Sequence, residues 1–277
     1  MADADVRQRV EEGEIAKDES ARLPYATPTT VAPTDVAQTA DDPALTEDLA
    51  LSLLTRADLQ PQILERLARN AGVLKSRKVK MALASHPRTP RHVSVPLARQ
   101  FYTFDLMKLA LSPGAPADVK VAVDDILIAR LETVTIGERL ALARRAAGRV
   151  AAALLLDGDK ANVPAIEAKI ADCKTQSPRT RVMLTALDNP RLTEALVISS
   201  VLRADASAAL VHAIASHAKW SSRREIRVAL LRTEHLSLAC GLEFSSEIPT
   251  EALRELLDSS RLPMKIKEQI LRVGEER

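Results

Sequence analysis

Aromatic residues, glycine and cysteine are all scarce in this chain of 277 residues. One Trp, two Tyr and three Phe make up 2% of it, which argues against an all-β sandwich or barrel, because strands draw heavily on aromatic side chains. Eight glycines are too few for many tight hairpins. Two cysteines, Cys173 and Cys240, are too few for a disulfide-dense secreted scaffold, and both are predicted to be reduced, buried thiols.

The sequence also has no long hydrophobic run. Its longest apolar stretch, residues 150–156, is far shorter than the roughly 20 residues that a membrane helix requires. Residues 1–25 alternate acids and bases without an apolar core, so they do not read as a secretory signal peptide. We therefore predict a cytoplasmic protein that has no membrane partner.

Composition divides the chain into a tail at 1–43 and a body at 44–277. The tail is rich in Pro, Thr, Ala and Asp, cannot bury much apolar surface and is predicted to be disordered. It holds ten acidic and four basic residues, a net charge of −6, whereas the body holds 35 basic and 27 acidic residues, a net charge of +8. Such asymmetry indicates an anionic partner, a tail that screens the body, or simply a soluble surface.

The body has the periodicity of short helices throughout. Apolar residues recur at three- and four-residue spacing in segments separated by Pro, Gly, Ser or Asn, which predicts an all-α domain. The predicted helices are 46–56, 60–70, 77–85, 91–99, 104–111, 117–131, 136–147, 150–156, 163–171, 179–187, 193–202, 206–217, 223–232, 237–243, 250–258 and 264–272.

Several of these helices resemble one another in sequence. Residues 78–84, KVKMALA, align with 225–231, EIRVALL, at an offset of 147 that persists through later positions without a gap. Further copies begin at Glu138 and Val182, and the turn Asn189-Pro190-Arg191 falls on His86-Pro87-Arg88. Copies that begin at 79, 138, 182 and 226 are spaced by 59, 44 and 44 residues, and periods of about 40–47 are typical of HEAT and armadillo arrays.

At the segments VKMALASHPRTPRHV, RVMLTALDNPRLTEALV and IRVALLRTEHLSLA, the chain resembles HEAT-like units and leucine-rich variant repeats. The resemblance covers about 75–273, although the third copy lacks the basic residue at its second position and the fourth has Glu234 where the turn proline would stand. It implies a right-handed α-solenoid with an extended groove for a partner, and it implies no catalytic chemistry. Stacking is also expected on physical grounds, because each helix pair has an apolar face that it cannot bury alone.

Motifs for catalysis or for a cofactor are missing. The sequence has no phosphate-binding loop, dinucleotide fingerprint, serine nucleophile elbow or paired-cysteine zinc spacing. The five histidines are scattered and are interpreted as turn or surface residues, and the acidic pair Asp124-Asp125 gives no sign of a site with a shifted pKa. We therefore expect no catalytic residue, no metal and no cofactor.

The recurring basic residues are the one sequence pattern that points to a binding site. They recur in all four copies, and stacking of the copies would align Lys80, Arg139 and Arg227 as a stripe able to follow a phosphate backbone, an acidic protein or the protein's own acidic tail. Alternatively, they only solvate the outer face. The candidate residues are Lys75, Arg77, Lys78, Lys80, Arg139, Arg144, Arg145, Arg181, Lys219, Arg223, Arg224 and Arg227.

Two functions follow as expectations. The first is a non-enzymatic scaffold or adaptor that binds a protein partner in its groove. The second is a nucleic-acid-binding solenoid; some HEAT-like arrays are DNA glycosylases, but that version is disfavoured because only Trp220, Tyr102, Phe101 and Phe104 could stack on bases. Self-association through an edge of the array stays open as well, and the oligomeric state is not predicted.

Overall fold

The computed structural model describes residues 33–157 and 177–275, which contain sixteen α-helices and no β-strand. This confirms the all-α class. The helices are α1 Pro33–Asp41, α2 Glu47–Leu54, α3 Pro61–Arg69, α4 Arg77–Ser85, α5 Arg91–Arg99, α6 Thr103–Leu111, α7 Ala117–Arg130, α8 Ile136–Arg145, α9 Gly148–Leu155, α10 Pro178–Leu187, α11 Glu194–Val201, α12 Ala208–Ser216, α13 Arg224–Leu231, α14 Leu238–Ser245, α15 Thr250–Asp258 and α16 Met264–Glu275. The predicted helix 163–171 and Cys173 lie outside the described residues.

The folded part begins earlier than the sequence predicts. Residues 33–41, which composition assigned to the disordered tail, form α1, and α1 packs against α3. Ala40 is fully buried, and Asn70 Nδ2 donates hydrogen bonds to the carbonyl oxygens of Ala40 and Asp42 at 3.2 and 2.8 Å. Tertiary contacts thus stabilise a helix that its own composition does not favour. The rest of the predicted tail, 1–32, lies outside the described residues.

Local signals explain most of the helix ends. Thr46, Ser76, Ser177, Ser207 and Ser237 each accept a hydrogen bond from a backbone N–H in the first turn of the helix that follows. These caps satisfy donors that the helix itself cannot pair. At α8, Thr135 and Glu138 form a reciprocal capping box.

The helices contact one another in two alternating sets. Among odd-numbered helices, α1 contacts α3, and contacts link α5 to α7, α7 to α9, α9 to α11, α11 to α13 and α13 to α15. Among even-numbered helices, contacts link α2 to α4, α4 to α6, α8 to α10, α10 to α12 and α14 to α16. We call these sets the odd row and the even row. Sequential helices such as α4 and α5 join the rows, and buried side chains including Leu83, Leu106, Leu142 and Met183 fill the core.

Side chains at helix ends tie each row together. In the even row, His86 Nε2 lies 2.9 Å from the carbonyl oxygen of Arg56, and Arg88 donates to the carbonyl of Asp58. At the matching turn, Asn189 donates to the carbonyls of Ala143 and Ala146. These bonds join the C-terminal end of one helix to that of an earlier helix, so these row neighbours run in the same direction. The recurring H/N-Pro-Arg turn is therefore a C-terminal clamp that pairs exposed helix carbonyls.

The spacing of row neighbours along the chain differs from the spacing of the sequence copies. Bonds between the ends of row neighbours join residues about 30 apart: 30 for His86 to Arg56, 29 for Arg130 to Phe101 and 33 for Trp220 to Leu187. The corresponding bond of Asn189 spans 46 residues because the chain between them includes extra residues. The sequence offset of 59, from α4 to α8, corresponds to two such steps, and the offset of 44, from α8 to α10, is one step that includes these extra residues.

One glycine is required by the approach of two elements. Gly148 begins α9 beneath the Asn189 turn, and a Cβ at this position would lie 2.3 Å from the carbonyl oxygen of Arg191. No side chain fits there unless the backbone moves. The clamp at Asn189 and the start of α9 are consequently in direct contact.

Candidate functional site

The even row carries an open groove lined by residues of α2, α4 and α6. We call it the α4 groove; its volume is about 780 Å³, and its lining residues are Glu47, Ser76, Arg77, Lys78, Met81, Ala82, Asp105 and Lys108. Met81 and Ala82 are half-buried and give the groove an apolar patch, while the surrounding residues supply three cations and two carboxylates. Two of the predicted basic residues, Arg77 and Lys78, therefore lie in a concave site.

A buried carboxylate organises one wall of this groove. Asp105 is only 3% exposed, and its Oδ1 accepts a hydrogen bond from Arg77 Nη2 at 2.5 Å. This hydrogen bond holds the pKa of Arg77 above its usual value. The second oxygen, Oδ2, is buried and has no hydrogen-bond partner in the part of the chain that the structure describes. The exposed ring of Tyr102 lies beside the guanidinium, with its centroid 5.6 Å from Arg77 Cζ.

The charges on α4 oppose its own dipole. Its first turn holds Arg77, Lys78 and Lys80 and no acidic residue, although the N-terminus of a helix favours negative charge. Neighbouring helices supply the missing acids: Asp105 comes from α6, and Glu47 of α2 lies 3.4 Å from Lys78 Nζ. These ion pairs offset the unfavourable placement and leave Lys108, which is exposed and has no ion pair with a described residue, as the unpaired cation of the groove.

Other predicted residues of the first copy do not enter the groove. Lys80 donates from Nζ to Gln100 Oε1 at 3.1 Å, which directs its side chain to the junction between α5 and α6. Lys75 is exposed in the short 3₁₀ turn Val73–Lys75. The basic residues of the first copy therefore lie on two different faces of the protein.

The prediction that Arg139 belongs to a surface stripe is wrong. This residue is only 7% exposed, and it donates from Nη1 to Asp157 Oδ2 at 2.5 Å and from Nη2 to the carbonyl of Glu132. Asp157 Oδ1 also lies 3.9 Å from Arg179 Nη1. Because Asp157 and Arg179 flank residues 158–176, this triad joins the two ends of that segment. Arg139 therefore has a structural role.

The fourth copy lies in the other row. Its helix is α13, an odd-row helix, so Arg227 cannot align with Lys80 of α4 and Arg139 of α8, which belong to the even row. Arg227 also donates to Glu247 Oε1 at 3.0 Å, and Arg223 lies 3.6 Å from Glu194. The predicted continuous stripe is consequently wrong.

The remaining basic candidates are exposed at separate places. Arg144 and Arg145 lie at the end of α8, Arg181 lies in α10 and Arg224 begins α13, and none has an ion pair with a described residue. Lys219 Nζ lies 4.0 Å from the ring centroid of Trp220. Trp220 itself is 2% exposed and donates to the carbonyl of Leu187, so it cannot stack on a nucleotide base.

A second groove lies on the odd row and is lined by α7, α9 and α11. We call it the α9 groove; its volume is about 610 Å³. Its apolar residues include Ile128, Ala153 and Leu196, and its charged residues are already paired within the chain for the most part: Arg149 with Asp125 at 2.8 Å and Arg203 with Asp205 at 2.8 Å. The charges at the edge of this groove are therefore largely neutralised by ion pairs within the chain.

Sequence reasoning missed three groups of interest. Asp105 and Lys108, in an apolar helix, complete the α4 groove, and the only available signal was a charged residue on each side of the apolar pair Leu106 and Met107. Asp124, for which no pKa shift was expected, is 5% exposed, and burial raises its pKa to about 6 against the pull of Arg149. Its Oδ1 has no hydrogen-bond partner among the described residues.

Histidines and the described cysteine offer no second site. The interpretation of all histidines as turn or surface residues fails at His212, which is 9% exposed within α12, and His86 is a buried turn residue. Cys240 is half-buried and reduced. Within residues 33–157 and 177–275, no group of three or more His, Cys, Asp or Glu side chains could hold a metal ion.

None of the described helices is long and apolar enough to cross a membrane. Comparison of the chain with protein-family models, with curated proteins and with solved structures gave no match. The contacts within the chain itself therefore carry the functional argument.

Proposed function

We propose that this protein is an α-solenoid of HEAT-like repeats that acts as a non-enzymatic adaptor, binding a segment of another protein in the α4 groove. The observation that carries the proposal is the combination of an apolar patch, Met81 and Ala82, with charged side chains from three helices in one open concavity. Pockets that combine apolar surface with a few convergent polar groups are the usual sites of binding.

The alternation of odd and even rows supports the repeat architecture. Each helix has its main contacts with sequence neighbours and with the helix two positions away. Contacts of this range are characteristic of arrays that grow by stacking one unit on the next. The recurring C-terminal clamps at His86 and Asn189 support it further, because equivalent turns make equivalent bonds at two places in the even row.

Nucleic-acid binding is the second candidate, and it is supported only by the exposed cations Arg144, Arg145, Arg181 and Arg224. Against it, several other basic candidates are neutralised by acids of the chain, and Trp220 is buried. Titration of labelled duplex and single-stranded DNA at about 50 and 200 mM salt separates the two functions, because phosphate binding weakens steeply over this interval. Tight, salt-sensitive binding to DNA would favour the second candidate.

Selection from a random peptide display library tests the first candidate directly. The full chain serves as target, and each selected peptide is retested against Met81→Arg, which places a charged side chain on the apolar patch. Met264→Arg is the matched control, because Met264 is 69% exposed and lies on α16, outside the groove. Lys78→Glu is a second groove variant, and because this side chain is highly exposed we expect the fold to stay intact.

The proposal requires peptides whose binding is lost with Met81→Arg, weakened or altered with Lys78→Glu, and kept with Met264→Arg. Circular dichroism of each variant confirms that the helices are intact. Selected peptides that bind all variants equally would place their site elsewhere and overturn the adaptor assignment for the α4 groove.

A further inference from the structure

We propose that the α4 groove is selective for an acidic peptide segment in which carboxylate and apolar side chains alternate. The inference rests on the proposed function and adds the chemistry of the partner. It assigns the selective role to Lys108, assisted by Lys78, and assigns to Asp105 and Glu47 a role in rejecting a continuous phosphate backbone.

Charge balance in the groove is the first argument. Arg77 is held by Asp105, Lys78 is paired with Glu47, and Lys108 alone has no acid among the described residues. An entering carboxylate therefore finds an exposed cation with which no carboxylate of the described chain competes. A basic segment would find Glu47 paired with Lys78 and Asp105 buried and bonded to Arg77 through one oxygen.

The apolar patch is the second argument. Met81 and Ala82 are half-buried on α4 and line the same groove as the ion pairs and Lys108. Methionine is flexible and can pack against apolar side chains of different shapes. The patch can therefore accept several related peptide sequences. A phosphate backbone gains nothing from such a patch, whereas a leucine or isoleucine side chain buries its surface there.

The buried carboxylate is the third argument. Asp105 Oδ2 has no hydrogen-bond partner in the described chain, and an unpaired buried acceptor costs free energy. A peptide carries a backbone N–H at nearly every residue, so it brings donors of the kind that this oxygen lacks within the described chain. A phosphodiester backbone carries no such donor, and its charge is continuous, so part of it must lie beside Asp105 and Glu47. A peptide in which acidic and apolar residues alternate can place an uncharged residue there. An acidic peptide thus fits the groove better than DNA or RNA.

Three matched peptides test the inference. Each contains four copies of a triplet, Glu-Leu-Ser, Gln-Leu-Ser or Lys-Leu-Ser, with a fluorescent label, and binding to the full chain is followed by fluorescence anisotropy. We expect the Glu peptide to bind about tenfold more tightly than the Gln peptide and the Lys peptide to bind most weakly. Lys108→Glu should remove the advantage of the Glu peptide over the Gln peptide.

Arg224→Glu is the matched control, since Arg224 is exposed, has no ion pair with a described residue and lies in the odd row. It changes the net charge by the same amount as Lys108→Glu, and it should leave the preference for the Glu peptide intact. Equal affinity for all three peptides would overturn the inference, and so would an equal effect of the two charge reversals. An oligothymidylate that displaces the Glu peptide in a manner dependent on Lys108 would overturn it in favour of nucleic acid.

Failure here is distinguishable from failure of the proposed function. If the display library yields peptides that depend on Met81 but are basic or uncharged, the adaptor proposal stands and the acidic selectivity is wrong. If neither the library nor the matched peptides yield binding that depends on Met81 or Lys108, the groove is not a peptide site and both fail.

Discussion

The α4 groove and the α9 groove have similar volumes but differ in how their charged side chains are paired. In the α9 groove, Asp157 uses both carboxylate oxygens, one toward buried Arg139 and one toward Arg179. In the α4 groove, Asp105 uses one oxygen and leaves the other unpaired, and Lys108 has no acid among the described residues. Charges that are paired within the chain stabilise the fold, whereas the exposed Lys108, which has no ion pair with a described residue, is accessible to a ligand. The comparison therefore supports the proposal that the α4 groove binds a ligand and that the α9 groove is structural.

The largest expected effect on stability is at Asp157, whose two carboxylate oxygens are both paired. Asp157→Asn leaves the buried Arg139 guanidinium without its charged partner, so we expect a loss of about 2–4 kcal/mol in the free energy of unfolding, measured by urea denaturation. The exposed pair Arg254–Glu275 supplies the control, and Glu275→Gln should cost less than about 0.5 kcal/mol. Equal effects of the two variants would refute the distinction between a structural and an exposed ion pair.

Substitution of Asp124, a buried carboxyl beside the α9 groove, should increase the stability of the protein rather than reduce it. Because burial raises the pKa of Asp124 from 3.8 to about 6, its stabilising protonated form is fully populated in the folded state below pH 3.8 and is lost as pH rises through about 6. Asp124→Asn removes this loss. After allowance for screening, the variant should be about 1–2 kcal/mol more stable than the wild type at pH 7.5 and should match it near pH 4. Thermal melts across this pH range measure the difference, and a gain that is independent of pH would contradict the assignment.

At Asp105, where only one carboxylate oxygen is paired, we expect a smaller loss of stability. Asp105→Asn removes one charged hydrogen bond to an exposed arginine and also removes the cost of an unpaired charged oxygen, so the two effects partly cancel. We expect a loss of about 1 kcal/mol or less, measured under the same conditions as Asp157→Asn. If Asp105→Asn were as destabilising as Asp157→Asn, the α4 groove would be as structural as the α9 groove.

The smallest effect on folding is expected at Lys108. Because this side chain is exposed and has no ion pair with a described residue, Lys108→Ala should change the free energy of unfolding by less than about 0.5 kcal/mol. The same variant should weaken the Glu-Leu-Ser peptide several-fold in the anisotropy assay. A change in stability without a change in binding would reverse the roles that we assign to the two grooves.

Local structure was largely predictable from the sequence. The bounds of α4, α5 and α15 agree with the predicted 77–85, 91–99 and 250–258, and the other described helices from α2 onward differ by only a few residues at their ends. Caps, prolines and apolar periodicity act over a few residues, so they can be read without the fold. Helix α1 was missed because its stability comes from packing against α3 and from the bonds of Asn70, about 30 residues away.

The candidate site was predictable only in part. Arg77 and Lys78 lie in the α4 groove as part of the predicted basic set, but Arg139 from the same alignment is buried and paired with Asp157, 18 residues along the chain. Nothing at the sequence level separates these arginines, since each lies at the start of an amphipathic helix. Their roles depend on which carboxylate the fold brings within reach and on how much water it excludes.

The amino-acid sequence by itself determined where this chain forms helices, where most helices end and which turns recur, because those properties are decided by caps, prolines and spacing within a few residues. Only the tertiary structure decided which row each helix joins, that row neighbours are about 30 residues apart, and which cations are neutralised. Ion pairs such as Arg77 with Asp105 join residues 28 apart. Their free energy depends on burial and distance, which exist only once the rows have packed.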